Sequence, residues 1–186
     1  MTLPLPSWVV AVLMSDDLLA LNRAVGIIRR RNLALSSVSL GPTTRSGVSK
    51  LTAVVATDEA SAVRMANALR KMVGALEVSV TPEADCVTRE HTLVRVGVTP
   101  QELAAVLDIV ELYQARVVEE AATELLVEAT GTPASLVSLL RALEPFGVLD
   151  VVRGGAIALP RSAAPDGSGA GRQALPLVRP PRAIPA

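Results

Sequence analysis

The chain alternates short apolar runs with stretches in which apolar residues recur every three or four positions. WVVAVLM (8–14) is apolar throughout and reads as a buried strand. LALNRAVGIIRRR (19–31) follows as a helix, with Leu21, Val25 and Ile28 at i, i+4 and i+7. ALSSVSL (34–40) alternates as a strand does, but Leu35, Val38 and Leu40 break phase by one residue. GPTTRSG is a turn, punctuated by Gly41-Pro42 and Ser46-Gly47, and KLTAVVAT is a third strand. In DEASAVRMANALRKMV, Asp58 stands as an N-cap, and Val63, Ala66, Leu69 and Val73 predict the buried helix face. ALEVSV closes the set, giving the order β-α-β-β-α-β of a ferredoxin-like domain.

The same order then recurs. TLVRVGV is a strand, and TPQELAAVLDIVELY a helix with Thr99 as N-cap, Pro100 at its first position and Glu102 at its third. ARVVEEA and TELLVEAT are strands, and GTPASLVSLLRALEPF opens on Thr132 as cap and Pro133. GVLDVVRGG and AIALP finish the second sheet, with Arg153-Gly154-Gly155 read as a hairpin turn. TPEADCVTRE between the halves reads as a short polar linker. From Pro160 the chain holds six of its thirteen prolines and no apolar period, which predicts disorder. The fold class is therefore α+β: two tandem ferredoxin-like (βαββαβ) domains, residues 1–82 and 83–160, and a disordered tail over 161–186.

Composition narrows the function. A net formal charge of zero argues against a nucleic-acid partner held through phosphates. One Trp, one Tyr and one Phe leave no aromatic platform for stacking bases. One His and one Cys exclude a multi-His metal site and an internal disulfide. His91 and Cys86 are five residues apart, which puts them on opposite faces of a strand, so both read as structural. Glu77, Glu119, Glu120, Glu124 and Glu128 read as a solvated sheet face rather than an acid–base set. The apolar run near the start is too short to span a bilayer and has no signal-peptide flanks, so the expected location is cytoplasmic. A sensor or assembly domain remains.

Here the residues carry a family resemblance. VLMSDDLLALNRAVGIIRRRNLALSSVSLGPT resembles the opening of the small regulatory subunit of acetolactate synthase, an ACT domain. The likeness continues in VTREHTLVRV, ARVVEEA, EATGTPASLVSLLRALEPFGVLDVVR and AIALPR, spanning residues 8 to about 161. The resemblance implies a non-catalytic chain that forms a dimer and activates a large catalytic subunit. Thiamine diphosphate, Mg²⁺ and FAD are then expected on that large subunit and no cofactor on this chain. The large subunit condenses pyruvate with a second 2-oxo acid at the head of valine, leucine and isoleucine synthesis. The family commonly confers feedback inhibition by valine, bound where two ACT domains meet. The alternative is a free-standing amino-acid sensor of the ACT type with no enzyme partner.

The resemblance also assigns the effector site, and this chain departs from it. The family loop after the first strand is similar to N-x-P-G-A-L-x-R; its Asn falls on Asp16, its Pro on Leu18 and its Gly on Leu19. Ala20, Leu21 and Arg23 agree. An Asn on the second strand of the neighbouring chain falls on Ala34, beside Leu35. Asp16 and Asp17 suit the positive end of a helix as caps and would repel a ligand carboxylate. Leu19 puts a side chain where the ligand would approach the backbone. Asp16 offers an ammonium partner instead, which keeps a different amino acid open. The loop thus reads either as a capped turn or as an effector site altered away from valine.

Overall fold

The computed structural model of the protein describes residues 5–162. The tail expected to be disordered lies outside the described residues from position 163 on. Two βαββαβ units follow one another, as the alternation predicts. The first comprises β1 (Ser7–Ser15), α1 (Leu18–Arg31), β2 (Ala34–Pro42), β3 (Val48–Ala56), α2 (Glu59–Arg70) and β4 (Ala75–Pro82). Its antiparallel sheet has the order β2-β3-β1-β4. Val10, Val12, Met14, Leu51, Ala53, Val55 and Val78 face one side of that sheet and pack with Ala20, Ala24, Ile28, Met65, Ala66 and Leu69 from the helices. Each fully buried Val, Leu or Met contributes about 1.5–3 kcal/mol, so this largely aliphatic interface holds the unit together, with Trp8 partly buried against it.

The second set comprises β5 (Cys86–Gly97), α3 (Leu103–Leu112), β6 (Arg116–Glu120), β7 (Glu124–Gly131), α4 (Pro133–Leu143), β8 (Val148–Arg153) and β9 (Ile157–Pro160). The sheet order is β6-β7-β5-β8, with β9 also on β5. Val94, Val96, Leu125, Val127, Leu136, Leu139 and Leu143 form its core. The chain divides into two compact units, one running up to Val87 and taking in the stretch from Ala158, the other Thr88–Ile157. Among the described residues no helix is long and apolar enough to cross a membrane.

Several local expectations change. On α1 the buried stripe is Ala20, Ala24 and Ile28, while Val25 is 46% exposed. On α2 it is Ala62, Met65, Ala66 and Leu69; Val73, 74% exposed, follows the helix end. Each buried face mixes alanines, which let the helix approach the sheet closely, with the larger Ile28, Met65 and Leu69. TPEADCVTRE is not a loop: it holds a 3-10 turn, Glu83–Asp85, and the first five residues of β5. Helix α3 starts at Leu103 rather than at Thr99, because Thr99–Glu102 forms a separate turn in which Glu102 Oε2 accepts from Thr99 N (3.0 Å) and Oγ1 (2.7 Å). Arg153-Gly154-Gly155 is not a hairpin, since β9 pairs with β5 and Gly154 N donates to His91 O at 2.8 Å.

The phase break in the second strand has a structural cause. Leu35 pairs with Val55 and Ser37 with Val54, so Ser36 is the extra residue of a β-bulge. The bulge returns Leu35, Val38 and Leu40 to one face, opposite the core residues Val55, Ala53 and Leu51.

Gly74 closes the unit around the loop that follows β1. Its φ is +96°, and a Cβ built there would lie 3.1 Å from Ala20 Cβ, while Ser15 N donates to its carbonyl at 2.9 Å. Gly74→Ala is expected to lower stability in urea unfolding by about 1–3 kcal/mol. Gly41→Ala, where nothing lies within 4 Å of the added carbon, is expected to stay within about 0.5 kcal/mol of the parent.

Candidate functional site

The loop Ser15–Leu19 connects the end of β1 to the start of α1, and its own aspartates occupy it. Asp17 is the N-cap: its backbone is extended (φ −138°, ψ 152°) and its Oδ1 accepts from Ala20 N at 2.7 Å. Asp17 N donates to Ser15 O at 2.9 Å, and Asp17 O accepts the first helical bond, from Leu21 N at 3.2 Å. Asp16 does not cap the helix, contrary to the expectation for both aspartates. It faces the β2–β3 hairpin instead, donating its N–H to Gly47 O (2.9 Å) and accepting from the buried Ser49 Oγ at Oδ1 (2.8 Å).

Of the N–H groups a ligand carboxylate would seek here, those of Asp16, Asp17, Ala20 and Leu21 are spent within the chain. Those of Leu18 and Leu19 remain, under two leucine side chains that are 82% and 65% exposed. Ala20 is fully buried against the sheet and Leu21 packs half-buried beside it. The structure therefore brings Asp16, Asp17, Leu18, Leu19, Ala20 and Leu21 together.

Ala34 and Leu35 are elsewhere. Ser15 pairs with Val48 at one end of β3, whereas Ala34 pairs with Ala56 at the other. Eight residues of strand separate the two ends, about 26 Å at the usual rise. One copy of the chain does not assemble the full set. Gly47, Ser49 and Gly74, which fix the loop, escaped the sequence reading because each acts through backbone position or a strand neighbour.

The remaining reactive residue types are dispersed. Cys86 is buried and His91 exposed, on opposite faces of β5 as their odd spacing requires. Burial, then the Asp85 and Glu83 carboxylates, push the Cys86 thiol above its usual range, so it stays protonated. His91 Nδ1 meets Thr130 Oγ1 at 2.9 Å, and its Nε2 lies 3.8 Å from Glu128. The carboxylates are not merely solvated: Glu124 pairs with Arg95 at 2.6 Å, Glu128 with Arg116, and the buried Glu90 with Arg153. Arg116 beside Glu128 holds that carboxyl below its ordinary value. Among the described residues no three His, Cys, Asp or Glu are placed to hold a metal.

This architecture defines a class: a two-unit α+β protein whose first unit is ACT-like. Comparison with known proteins names the family within it. Residues 89–162 match the family model of the small subunit of acetolactate synthase. The acetolactate synthase small subunit of Mycobacterium leprae is 34% identical over 158 residues, covering 84% of this chain and 93% of that protein. That of Mycolicibacterium smegmatis is 29% identical, covering 90% and 97%. A crystal structure of the small subunit from Thermotoga maritima shares the fold, with a TM-score of 0.78 at 20% identity over 85% of this chain and 99% of that one. The chain belongs to the acetolactate synthase small-subunit family, which is distinct from the catalytic subunit.

The Asp17 cap can be tested directly. Asp17→Ala is expected to cost about 1 kcal/mol in urea unfolding, and Asp17→Asn only a fraction of that, because Asn caps as well as Asp.

Proposed function

We propose that this chain is the activating subunit of an acetolactate synthase, docked on the catalytic large subunit in the cytoplasm, with valine feedback weakened or lost. Its relatives, named as small subunits of that enzyme, support the partnership. Catalysis, with thiamine diphosphate, Mg²⁺ and FAD, then belongs to the large subunit, at the head of branched-chain amino acid synthesis. The observation that carries the reading on valine is the Asp17 carboxylate, 2.7 Å from Ala20 N at the start of α1. A ligand carboxylate has to displace that group or sit against it, and it finds no Asn at position 16 or 34. A hydrogen bond to a charged group is worth about 1.5–3 kcal/mol, so losing two weakens binding about a hundredfold or more.

A homodimer fits the same geometry. Among the described residues strand β2 is an outer strand of its sheet, and Leu35, Val38 and Leu40 stand partly exposed on it. Pro42, at one end of β2, pairs with Ser49, which holds Asp16; Ala34 is at the other end. Antiparallel pairing of two copies through β2 carries Ala34 and Leu35 of one toward the loop of the other. A free-standing amino-acid sensor is less well supported, because a sensor needs a loop open to its ligand, here capped by Asp17 and flanked by Leu18 and Leu19, and an activator does not.

Mixing the purified chain with the large subunit of the same organism is expected to raise the rate of acetolactate formation, and valine to leave that rate unchanged. The triple substitution Asp16→Asn, Leu19→Gly, Ala34→Asn is expected to introduce inhibition by valine. No rise in rate would overturn the activating role. Micromolar valine binding by the unsubstituted chain in isothermal titration would overturn the reading of the loop.

A further inference from the structure

Helix α1 carries Arg23, Arg29, Arg30 and Arg31, all exposed, and none has a carboxylate partner among the described residues. Three of them occupy the last turn, where the helix dipole favours cations. Arg23 has no such reason. It lies in the N-terminal half of the helix, and among the described residues its guanidinium reaches only Val73 O, at 3.5 Å.

Arg23 and Arg30 are seven residues apart, hence on one side of the helix. Between them a groove opens, lined by Asn22, Arg23, Gly26, Ile27, Arg30 and Met72. Its walls are polar or cationic, its base is aliphatic, and no acidic residue enters it. Gly26 adds a second observation. A glycine in a helix interior costs about 1 kcal/mol relative to alanine. Nothing in the packing requires it, since a Cβ there would meet only Arg30 Nη1, at 4.0 Å. The bare backbone keeps the groove open, and the Arg30 guanidinium lies above it.

We propose that this groove receives an acidic segment of the catalytic subunit, with a carboxylate seated over Gly26 between the Arg23 and Arg30 guanidiniums. The inference rests on the docking read under Proposed function and names one surface that performs it. Charge complementarity selects the partner: two unneutralised guanidiniums suit carboxylates, with which they form strong directed pairs. The openness of the groove selects its size. Small-molecule sites enclose most of their ligand, whereas Asn22, Arg23 and Arg30 are exposed.

The test titrates the full-length chain into the large subunit and reads the concentration that gives half-maximal activation. Arg23→Glu/Arg30→Glu is expected to raise that concentration about tenfold or more at low ionic strength, and added salt to shrink the difference. Arg64→Glu/Arg141→Glu, which reverses two exposed charges elsewhere, is expected to shift it far less. Gly26→Met separates docking from folding: it fills the groove, is expected to hold or raise the melting temperature, and still to weaken activation. If the unsubstituted chain does not activate, the docking reading itself falls. If it activates and the groove variants match the Arg64/Arg141 control, only the groove assignment is overturned. Binding of inorganic phosphate that is lost in Arg23→Glu/Arg30→Glu, with activation unchanged, would overturn it in favour of a small-anion site.

Discussion

The N-terminus of a helix presents a few inward N–H groups and one region of positive potential, and a single carboxylate satisfies it. In this protein that carboxylate is the chain's own. Asp17 Oδ1 at 2.7 Å from Ala20 N settles the first turn of α1, and Asp16 fastens the preceding residue to the β2–β3 hairpin through Gly47 and Ser49. Gly74, where an added Cβ would lie 3.1 Å from Ala20 Cβ, leaves room for the start of α1. The loop is thereby tied to three elements of the first unit, and its conformation needs no ligand. An effector shifts an equilibrium only by its differential affinity for two states. A loop already closed by covalently attached groups offers little difference to exploit.

Much of this was legible in the sequence, and the errors have a common origin. Strands with alternating or continuous Val, Leu and Ile were found because their period is 2 and their boundaries carry Gly, Pro or Asp. The caps Asp58 and Thr132 were legible because a side-chain oxygen three residues before a free N–H acts locally; they accept from Ser61 and Ser135. Helix orientation was not. The apolar period marks Ile28, Ala66 and Leu69 correctly but also Val25 and Val73, which are exposed, and it passes over Ala20, Ala24, Ala62 and Met65, which are buried. The start of β5 was hidden for the opposite reason: its buried members include Thr88 and Glu90, the latter neutralised by Arg153, sixty-three residues away. No local pattern encodes a pairing at that distance.

The candidate loop divides the same way. That Asp17 caps was readable, because the cap and the N–H that donates to it lie three residues apart. That Asp16 turns to Ser49 was not, because the contact spans thirty-three positions and depends on β1 pairing with β3. The β2 bulge joins the two cases. The sequence displays a break in phase, and the sheet explains it as one extra residue, Ser36, which keeps Leu35, Val38 and Leu40 on one face.

A scaffold that keeps its geometry while its ligand loop is altered still has surfaces to preserve. Exposed apolar residues include Leu35, Val38 and Leu40 on strand β2 and Leu18 and Leu19 at the start of α1. Four exposed arginines, Arg23, Arg29, Arg30 and Arg31, lie along α1 with no carboxylate partner among the described residues. The ion pairs His91–Glu128, Arg95–Glu124, Arg116–Glu128 and Arg153–Glu90 all join residues between Glu90 and Arg153, so that part of the chain neutralises much of its own charge. The α1 arginines are left for something outside the chain. An apolar edge suits a second copy of the same strand, because main-chain bonds are self-complementary across a two-fold axis. A cationic helix face does not, since two copies would repel. Those two surfaces therefore call for different partners, as the proposed dimer docked on a catalytic subunit requires.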